Sequence, residues 1–382
     1  MQQYLFQLGN TPELSLSEIR AVFPGSSLSQ VHTQVALGDF PLELDTQQAI
    51  ERLGGTVKIL APLVATDKKI DQASATEQLV HILAKTYKGT GKIQFGISEI
   101  GRDHLPPVSE AEIKNQLQSQ GINSRFVSPS RSGISAAVLS HHRSVTELVV
   151  ISTDTNTYIG QTLAVQDIDN WSKRDRSKPY ADRKKGMLPP KLARMMINLA
   201  LGTTDPTAAT VYDPFCGSGT VLMEAGVLGC HLIGTDSDPV AIDGTARNLQ
   251  WLKTQYGIED EYVLRNVDVS KAQLPPDSVT HLVTEPFLGK PTPKLHQLPG
   301  IFKGLEKLYR GAFKQWTRFL QDNAKIVIVM PMVTTPHHTY SLSSFVDDLE
   351  ALGYTTSSEP IVYARPQAIV QRTIYQFNYT KK

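Results

Sequence analysis

From Met187 onward, short apolar segments alternate with amphipathic ones, and this alternation limits the possible fold more than any other feature of the sequence. The strand-like segments read TVYDPF, HLIGTD, EYVLRNVD, VTHLVTEP and AKIVIVMP. Helical periodicity marks PPKLARMMINLA, VLMEAGVL, PVAIDGTARNLQWL and FKGLEKLYRGAFKQWTRFL. Strands that alternate with helices form a parallel sheet with helices on both faces. The sequence therefore predicts a doubly wound α/β fold for residues 187–382, completed by an antiparallel pair of strands, EPIVYA and AIVQRTIYQFNY.

Three acidic residues, Asp213, Asp236 and Asp268, stand at the ends of the first three predicted strands of this region. In an open α/β sheet, ligands bind at the carboxyl ends of the strands, where the strand order reverses. Asp213 is placed to meet a cationic group, Asp236 to accept both hydroxyls of a ribose, and Asp268 to accept from an adenine amine. Together they describe an adenosine with a cationic amino-acid tail, so the predicted cofactor is S-adenosylmethionine. The candidate cofactor-binding residues are Asp213, Pro214, Phe215, Gly217, Gly219, Thr220, Asp236, Ser237 and Asp268.

A dinucleotide is the competing interpretation of the segment DPFCGSGT. Its two glycines bring the backbone close to a ligand before a helix begins. However, the dinucleotide motif G-x-G-x-x-G requires a third glycine, and that position holds Leu222. A nucleotide-binding protein of similar fold stays as the alternative.

The first 167 residues carry shorter and more mixed signals, which are typical of α+β folds. In SLSE, Ser15 and the Glu three residues later form a capping box that predicts a helix beginning at Ser15. We also predict a strand over 31–37 and a helix over 46–53. The helical segments ATEQLVHILAKT and SEAEIKNQLQSQG then alternate with strands such as KIQFGIS and ELVVIS. The pattern predicts two successive α+β domains, over 1–60 and 61–167.

A basic segment follows these domains, with nine basic and two acidic residues between Trp171 and Arg194 in a chain whose net charge is only +1. Basic side chains interleaved with aromatic ones can bind phosphates and stack on unpaired bases. A charged linker can also simply be solvated, and composition alone leaves both interpretations open. The candidate RNA-binding residues are Lys173, Arg174, Arg183, Lys184 and Lys185.

Composition excludes several other classes of protein. No stretch of the 382 residues approaches the ~18 apolar residues that a membrane span needs. The segment MQQYLFQLGN has no basic n-region with an apolar run behind it, so we expect no signal peptide. Two cysteines are too few for a disulfide framework or a Cys-based zinc site, and His141-His142 and His337-His338 suit surface loops better than a metal site. We therefore predict a cytoplasmic protein with no membrane or metal partner.

The segments DPFCGSGT, IGTDSDPVAIDGTARNL and GMLPPKLARMMINLA resemble the THUMP-domain family of tRNA guanine-N2 methyltransferases, especially the archaeal type that acts at guanosine ten. YLFQLGNTPELSLSEI is similar to the family's N-terminal ferredoxin-like segment, and SRFVSPSRSGISAAVLSHH to its THUMP core. The resemblance implies a ferredoxin-like domain over 1–60, a THUMP RNA-binding domain over 61–167, a basic linker over 168–186 and a Rossmann-like S-adenosylmethionine methyltransferase domain over 187–382. It also implies tRNA as the partner, and we expect a monomer.

The resemblance further implies catalytic roles at the end of the fourth strand, where the family has Asp-Pro-Pro-Tyr and this sequence has Thr284-Glu285-Pro286-Phe287. In the family, the acid and the following backbone carbonyl accept hydrogens from the target amine, and the aromatic ring stacks on the flipped base. Here Phe287 keeps the stacking face, but the carboxylate has moved one residue along. Either Glu285 acts as the acceptor, which we favour, or it points away and the protein binds tRNA without the usual activity.

Two further points stay open on the sequence. An amino-methyltransferase acting on another RNA or DNA base would share most of these motifs. The Pro- and Lys-rich segment LGKPTPKLHQLPGIFKG after Phe287 is either an ordinary surface loop or a grip on the substrate.

Overall fold

The computed structural model describes residues 1–101, 108–128, 134–135, 138–139, 144–182, 187–258, 261–364 and 368–382. The chain forms two compact units. The first comprises residues 1–16 and 25–171, and the second comprises residues 17–24 and 172–382.

The first unit contains a mixed sheet of eight strands. Its strands are β1 Gln2–Leu8, β2 Ser27–His32, β3 Val35–Phe40, β4 Thr56–Thr66, β5 Ile93–Ile100, β6 Ser124–Phe126, β7 Val145–Ser152 and β8 Thr157–Val165. They lie in the order β2-β3-β1-β4-β8-β7-β5-β6. Strands from both predicted N-terminal domains thus belong to one sheet, joined by the antiparallel pair of β4 and β8. The division of this region at residue 60 stays a prediction.

Helices accompany these strands. Those before residue 180 include α1 Pro12–Val22, α2 Thr46–Arg52, α3 Gln72–Thr86, α4 Glu110–Ser119 and α5 Ile168–Arg176. The predicted helix over 46–53 is confirmed by α2, where the side chain of Asp45 caps the N-terminus by accepting from Gln48 N at 2.9 Å.

Two predictions for the N-terminal region are wrong. Helix α1 begins one turn before Ser15, because Pro12 occupies its first position and Ser15 N already donates to Thr11 O at 3.0 Å. Residues 31–37 form a hairpin between β2 and β3 instead of one strand. The turn lacks Gly, Pro or Asn, and the ring nitrogen Nδ1 of His32 helps to close it by accepting from Gln34 N at 3.1 Å.

The second unit contains a nine-stranded sheet that confirms the predicted doubly wound fold. Its strands are β9 Thr210–Asp213, β10 His231–Asp236, β11 Tyr262–Asn266, β12 Val279–Thr284, β13 Leu320–Thr334, β14 Thr339–Tyr340, β15 Tyr354–Thr356, β16 Ile361–Tyr363 and β17 Gln371–Tyr379. The main order is β11-β10-β9-β12-β13-β17-β15, with the first five strands parallel. Strand β17 is antiparallel to β13 and to β16, as predicted for the C-terminal pair. The strand order reverses between β9 and β12, and this point is where the fold places a ligand.

Helices cover this sheet. They are α6 Pro190–Leu201, α7 Thr220–Val227, α8 Pro239–Tyr256, α9 Leu298–Trp316 and α10 Ser343–Asp348. Helix α9 contributes Phe313 and Trp316 to an aromatic cluster of the core, and it ends earlier than predicted because Phe319 leads directly into β13. Among the residues that the structure describes, no helix is long and apolar enough to cross a membrane.

Candidate active site

A cavity of about 890 Å³ lies in the second unit at the carboxyl ends of β9, β10 and β12. This is the point where the strand order reverses, and the volume is in the range of small-molecule sites. Most of the predicted cofactor-binding residues line it. They are Asp213, Pro214, Phe215, Gly217, Thr220, Asp236, Ser237 and Asp268. Ser218, which was not predicted, also lines the cavity, whereas the predicted Gly219 is not among its lining residues.

The loop between β9 and α7 is held from behind by helix α8. The side chains of Thr245 and Asn248 donate to the carbonyl oxygens of Gly217 and Ser218, each at 2.8 Å. Gly219 has a φ of 76°, and a Cβ there would lie 2.7 Å from Thr245 Cγ2, so no other residue fits without a shift. Gly219 therefore shapes the loop and caps α7, while Gly217 and Ser218 face the cavity.

Asp236 connects the end of β10 to this loop. One carboxylate oxygen accepts from Gly217 N and the other from Asp238 N, both at 2.9 Å. The side chain remains partly exposed at the cavity wall. Asp268 also lines the cavity and is more exposed, and hydrogen bonds from Ser270 lower the pKa of its carboxyl.

Asp213 is the most buried acid of the cavity wall, with 2% of its surface exposed. Its Oδ1 accepts from the hydroxyl of Thr284 at 2.6 Å and from Phe215 N at 3.1 Å. Burial raises the pKa of Asp213 to about 7, against the opposing effect of these hydrogen bonds. Thr284 is fully buried, so the first residue of the predicted catalytic segment supports Asp213 from behind.

Glu285 lines the cavity in a bidentate ion pair with Arg372. The guanidinium donates from Nε to Oε2 at 2.6 Å and from a terminal nitrogen to Oε1 at 2.9 Å, and both side chains are largely buried. Arg372 lies on β17, 87 residues farther along the chain, and it also lines the cavity. Sequence reasoning missed this residue, and its only signal was a cation inside the apolar strand AIVQRTIYQFNY.

Phe287 presents its ring to solvent at the cavity mouth, with 61% of its surface exposed. Its backbone is fixed, because the buried hydroxyl of Tyr309 on α9 donates to Phe287 O at 2.9 Å. Pro286 lies between Phe287 and Glu285 and also lines the cavity. The structure therefore places Glu285, Pro286 and Phe287 in the lining of the same cavity as the glycine loop, with Glu285 close enough to Asp213 to interact electrostatically.

Part of the predicted basic surface is interior. Arg174 is 3% exposed, and its Nε donates to Glu224 Oε1 at 2.6 Å, which contradicts a role as a surface phosphate ligand. This pairing could not be predicted from local sequence, because Glu224 lies 50 residues later, in α7. Lys173 is exposed. The predictions for Arg183, Lys184, Lys185 and His141-His142 lie outside the described residues.

No group of three or more His, Cys, Asp or Glu side chains is arranged to hold a metal ion within the described ranges. Cys216 is buried at the loop, and burial also raises the pKa of its thiol far above the usual value. The thiol is therefore protonated and acts as a small packing group.

Comparisons with known proteins agree with this architecture. A family model described as RMKL-like, methyltransferase domain, matches residues 179–351, and one described as DNA methylase matches residues 68–247. The crystal structure of TrmN from Thermus thermophilus matches 99% of both chains with a TM-score of 0.57 at 14% identity. Fold and site define a methyltransferase with a Rossmann-like sheet.

Two curated relatives refine this class. A tRNA (guanine(10)-N2)-dimethyltransferase of Methanothermobacter thermautotrophicus is 33% identical over 163 residues, 43% of this chain and 42% of that protein. A probable tRNA (guanine(10)-N2)-dimethyltransferase of Methanothermococcus thermolithotrophicus is 33% identical over 118 residues, 30% of this chain and 70% of that protein. The chain belongs to this tRNA (guanine(10)-N2)-dimethyltransferase family. It spans less than half the length of the larger relatives that it matches.

Proposed function

We propose that this protein is an S-adenosylmethionine-dependent methyltransferase that methylates the exocyclic N2 of a guanosine in tRNA, at position ten. The observation that carries the proposal is one cavity whose wall combines the glycine loop and strand-end acids with the segment Glu285-Pro286-Phe287. Membership in a family whose named relatives act on guanosine ten of tRNA supports the choice of substrate.

The residues of the cavity fit such a cofactor. A Cβ added at Gly217 would have no described atom nearer than 3.9 Å, so the space beside the loop is open to a ligand. Asp236 would hold the ribose, Asp268 the adenine amine, and Asp213 the cationic tail. When bound, S-adenosylmethionine supplies a methyl group on a positively charged sulfur, which a nucleophile can attack.

The segment Glu285-Pro286-Phe287 in the cavity lining fits a flipped guanine. Its amine is a poor nucleophile because the lone pair is delocalised into the ring, so acceptors that pull the amine hydrogens toward them help the attack. Arg372 holds the Glu285 carboxylate in place, and Glu285 together with the backbone carbonyls of this segment supplies the acceptors. The exposed ring of Phe287 provides a surface on which the base can stack.

The N-terminal region completes the proposal. We assign a ferredoxin-like domain to residues 1–60, a THUMP domain that binds tRNA to 61–167 and a basic linker to 168–186, in a monomeric cytoplasmic enzyme. Lys173, Arg183, Lys184 and Lys185 remain our candidates for phosphate contacts in the linker.

Nucleoside mass spectrometry tests the function directly. tRNA from cells with and without the protein is compared, and purified protein is incubated with unmodified tRNA and cofactor. We expect N2-methylguanosine, located at position ten by fragment mapping. Methylation of a different base would establish the alternative amino-methyltransferase, and tRNA binding without any transfer would establish an RNA-binding protein of the same fold.

Asp236→Asn is expected to weaken S-adenosylmethionine binding by about 1.5–3 kcal/mol. A hydrogen bond to a charged acceptor contributes about that much, and the neutral amide removes the charge while keeping the shape. Calorimetry measures the change, and Asp243→Asn is the control, since Asp243 is an exposed acid on α8 away from the cavity. Unaltered cofactor affinity in a folded Asp236→Asn protein would remove this residue from the site.

Cofactor affinity is also expected to rise with pH. With a pKa of about 7, Asp213 is mostly protonated at pH 6 and mostly ionised at pH 8. A cationic ligand binds the ionised form, so binding lowers this pKa and releases a proton, and affinity increases toward about tenfold per pH unit below the pKa and levels off above it. Calorimetry at three pH values measures the slope, and Asp213→Asn should flatten it. An equally flat profile in the wild type would contradict this role.

A further inference from the structure

Helix α9 carries a row of exposed lysines on the outside of the second unit. Lys303, Lys307 and Lys314 follow one another at spacings of four and seven residues, so they lie along one face of the helix. No carboxylate of the described residues lies within ion-pair distance of these three ammonium groups. Arg310 extends the row, but it is bound to Glu306 and Asp348.

A row of glycines runs beside the lysines. A Cβ added at Gly300, Gly304 or Gly311 would meet no described atom within 4 Å, so packing within the chain gives no reason for their small size. Glycine is a poor helix former, and three of them in one helix weaken it. The surface at these positions is low enough to admit the close approach of a partner from outside the chain.

The glycine row separates the lysines from the cavity side of the helix. At about 100° per residue, the lysines occupy one sector of α9, the glycines the next, and Ile301 and Leu308 the sector after that. Leu308 lines the cavity, and Ile301 contacts the segment after Phe287, lying 3.1 Å from a Cβ added at Gly289. The glycines thus form a strip of helix surface without side chains between the lysine row and the residues at the cavity.

We propose that this lysine–glycine face, formed by Gly300, Lys303, Gly304, Lys307, Gly311 and Lys314, binds the phosphate backbone of the RNA next to the nucleotide whose base enters the cavity. The inference rests on the proposed function and extends its substrate contacts to the catalytic unit itself. Charge complementarity selects the partner, because a row of cations about one and two helical turns apart along one helix face suits a chain of regularly spaced phosphates. Lys290, which lines the cavity mouth, continues the positive charge toward the target base.

The salt dependence of tRNA binding tests this proposal. Lys303→Ala/Lys307→Ala is compared with Lys325→Ala/Lys381→Ala, which removes two exposed charges from the same unit. Lys325 pairs in register with His281 near the amino ends of the strands, and Lys381 is bound to Asp277, so neither lies at the cavity edge of the sheet. The first variant is expected to lower the slope of log affinity against log salt by about 1.4–1.8 and to raise the KM for tRNA. The control should match the wild type in both measurements.

A glycine variant gives a second, independent measurement. A side chain added at Gly304 meets open space, so the melting temperature of Gly304→Leu should not fall. The leucine should, however, block the approach of the RNA backbone and weaken tRNA affinity at every salt concentration. Unchanged slope and affinity in both variants would overturn the inference. Polyglutamate serves as a probe for an acidic protein partner. If the variants lose polyglutamate binding but keep tRNA binding, the inference is overturned and the face is assigned to an acidic protein. If the wild-type protein methylates no tRNA, the proposed function itself fails, which the wild-type arm shows separately.

Discussion

Glu224→Gln is expected to lower the free energy of unfolding by about 3–5 kcal/mol. Glu224 lies in the interior between two arginines, accepting from Arg174 Nε at 2.6 Å and from Arg194 at 2.8 Å. All three side chains are almost completely buried. Removing the Glu224 carboxylate takes the directly bound anion from two buried arginines in a medium that solvates them poorly, which costs far more than the loss of an exposed pair. Three helices, α5, α6 and α7, lose their common electrostatic contact at once.

Urea denaturation followed by tryptophan fluorescence measures this change, since Trp251 and Trp316 both belong to the second unit. Asp243→Asn is the matched control, because it removes an acid from an exposed i, i+4 pair with Arg247 and should cost less than ~1 kcal/mol. Equal shifts in the two variants would show that the buried triad contributes no more than a surface pair.

The parts of this protein that sequence predicts well are those specified by neighbouring residues. Asp213 and the glycines after it could be placed at a strand end because strand, loop and helix follow each other directly in DPFCGSGT. The same local logic located Asp236, and the structure adds that its carboxylate holds the loop through Gly217 N. The doubly wound sheet could be predicted from the alternation of strand-like and helix-like hydrophobic periodicity alone.

The parts that sequence could not predict depend on pairs distant along the chain. Nothing near Glu285 indicates Arg372, and nothing near Arg174 indicates Glu224, because the fold alone brings these charges together. Burial changed the interpretation of Arg174 most, since a basic segment has the same composition whether its charges face solvent or an internal carboxylate. The early start of α1 at Pro12 shows the same limit on a smaller scale, because Ser15 suited either a cap or a position inside the first turn.

Glu285→Gln is expected to reduce the turnover of methyl transfer by roughly 10²–10³, the range seen when one preorganised electrostatic partner is removed. The carboxylate lies in the cavity wall beside Phe287, where the family has its acid one residue earlier. The two hydrogen bonds from Arg372 fix the direction of the Glu285 carboxylate, so the acceptor is already in place before the amine arrives. Single-turnover transfer to tRNA at saturating cofactor measures the effect, with tRNA and cofactor affinities determined separately for each variant.

The ion pair permits a test that separates acceptor chemistry from packing. Arg372→Gln leaves the carboxylate in place but unsupported, so it should slow transfer less than Glu285→Gln does, and Arg372→Lys should restore part of the rate by returning the charge. If Glu285 served only to bind Arg372, all three variants would lower the melting temperature while the transfer rate of the folded protein stayed constant. Full activity in Glu285→Gln would leave the backbone carbonyls of this segment, with Asp213 behind them, as the acceptors of the amine hydrogens. The rate of this one variant therefore decides whether a carboxylate displaced by one position still performs the chemistry.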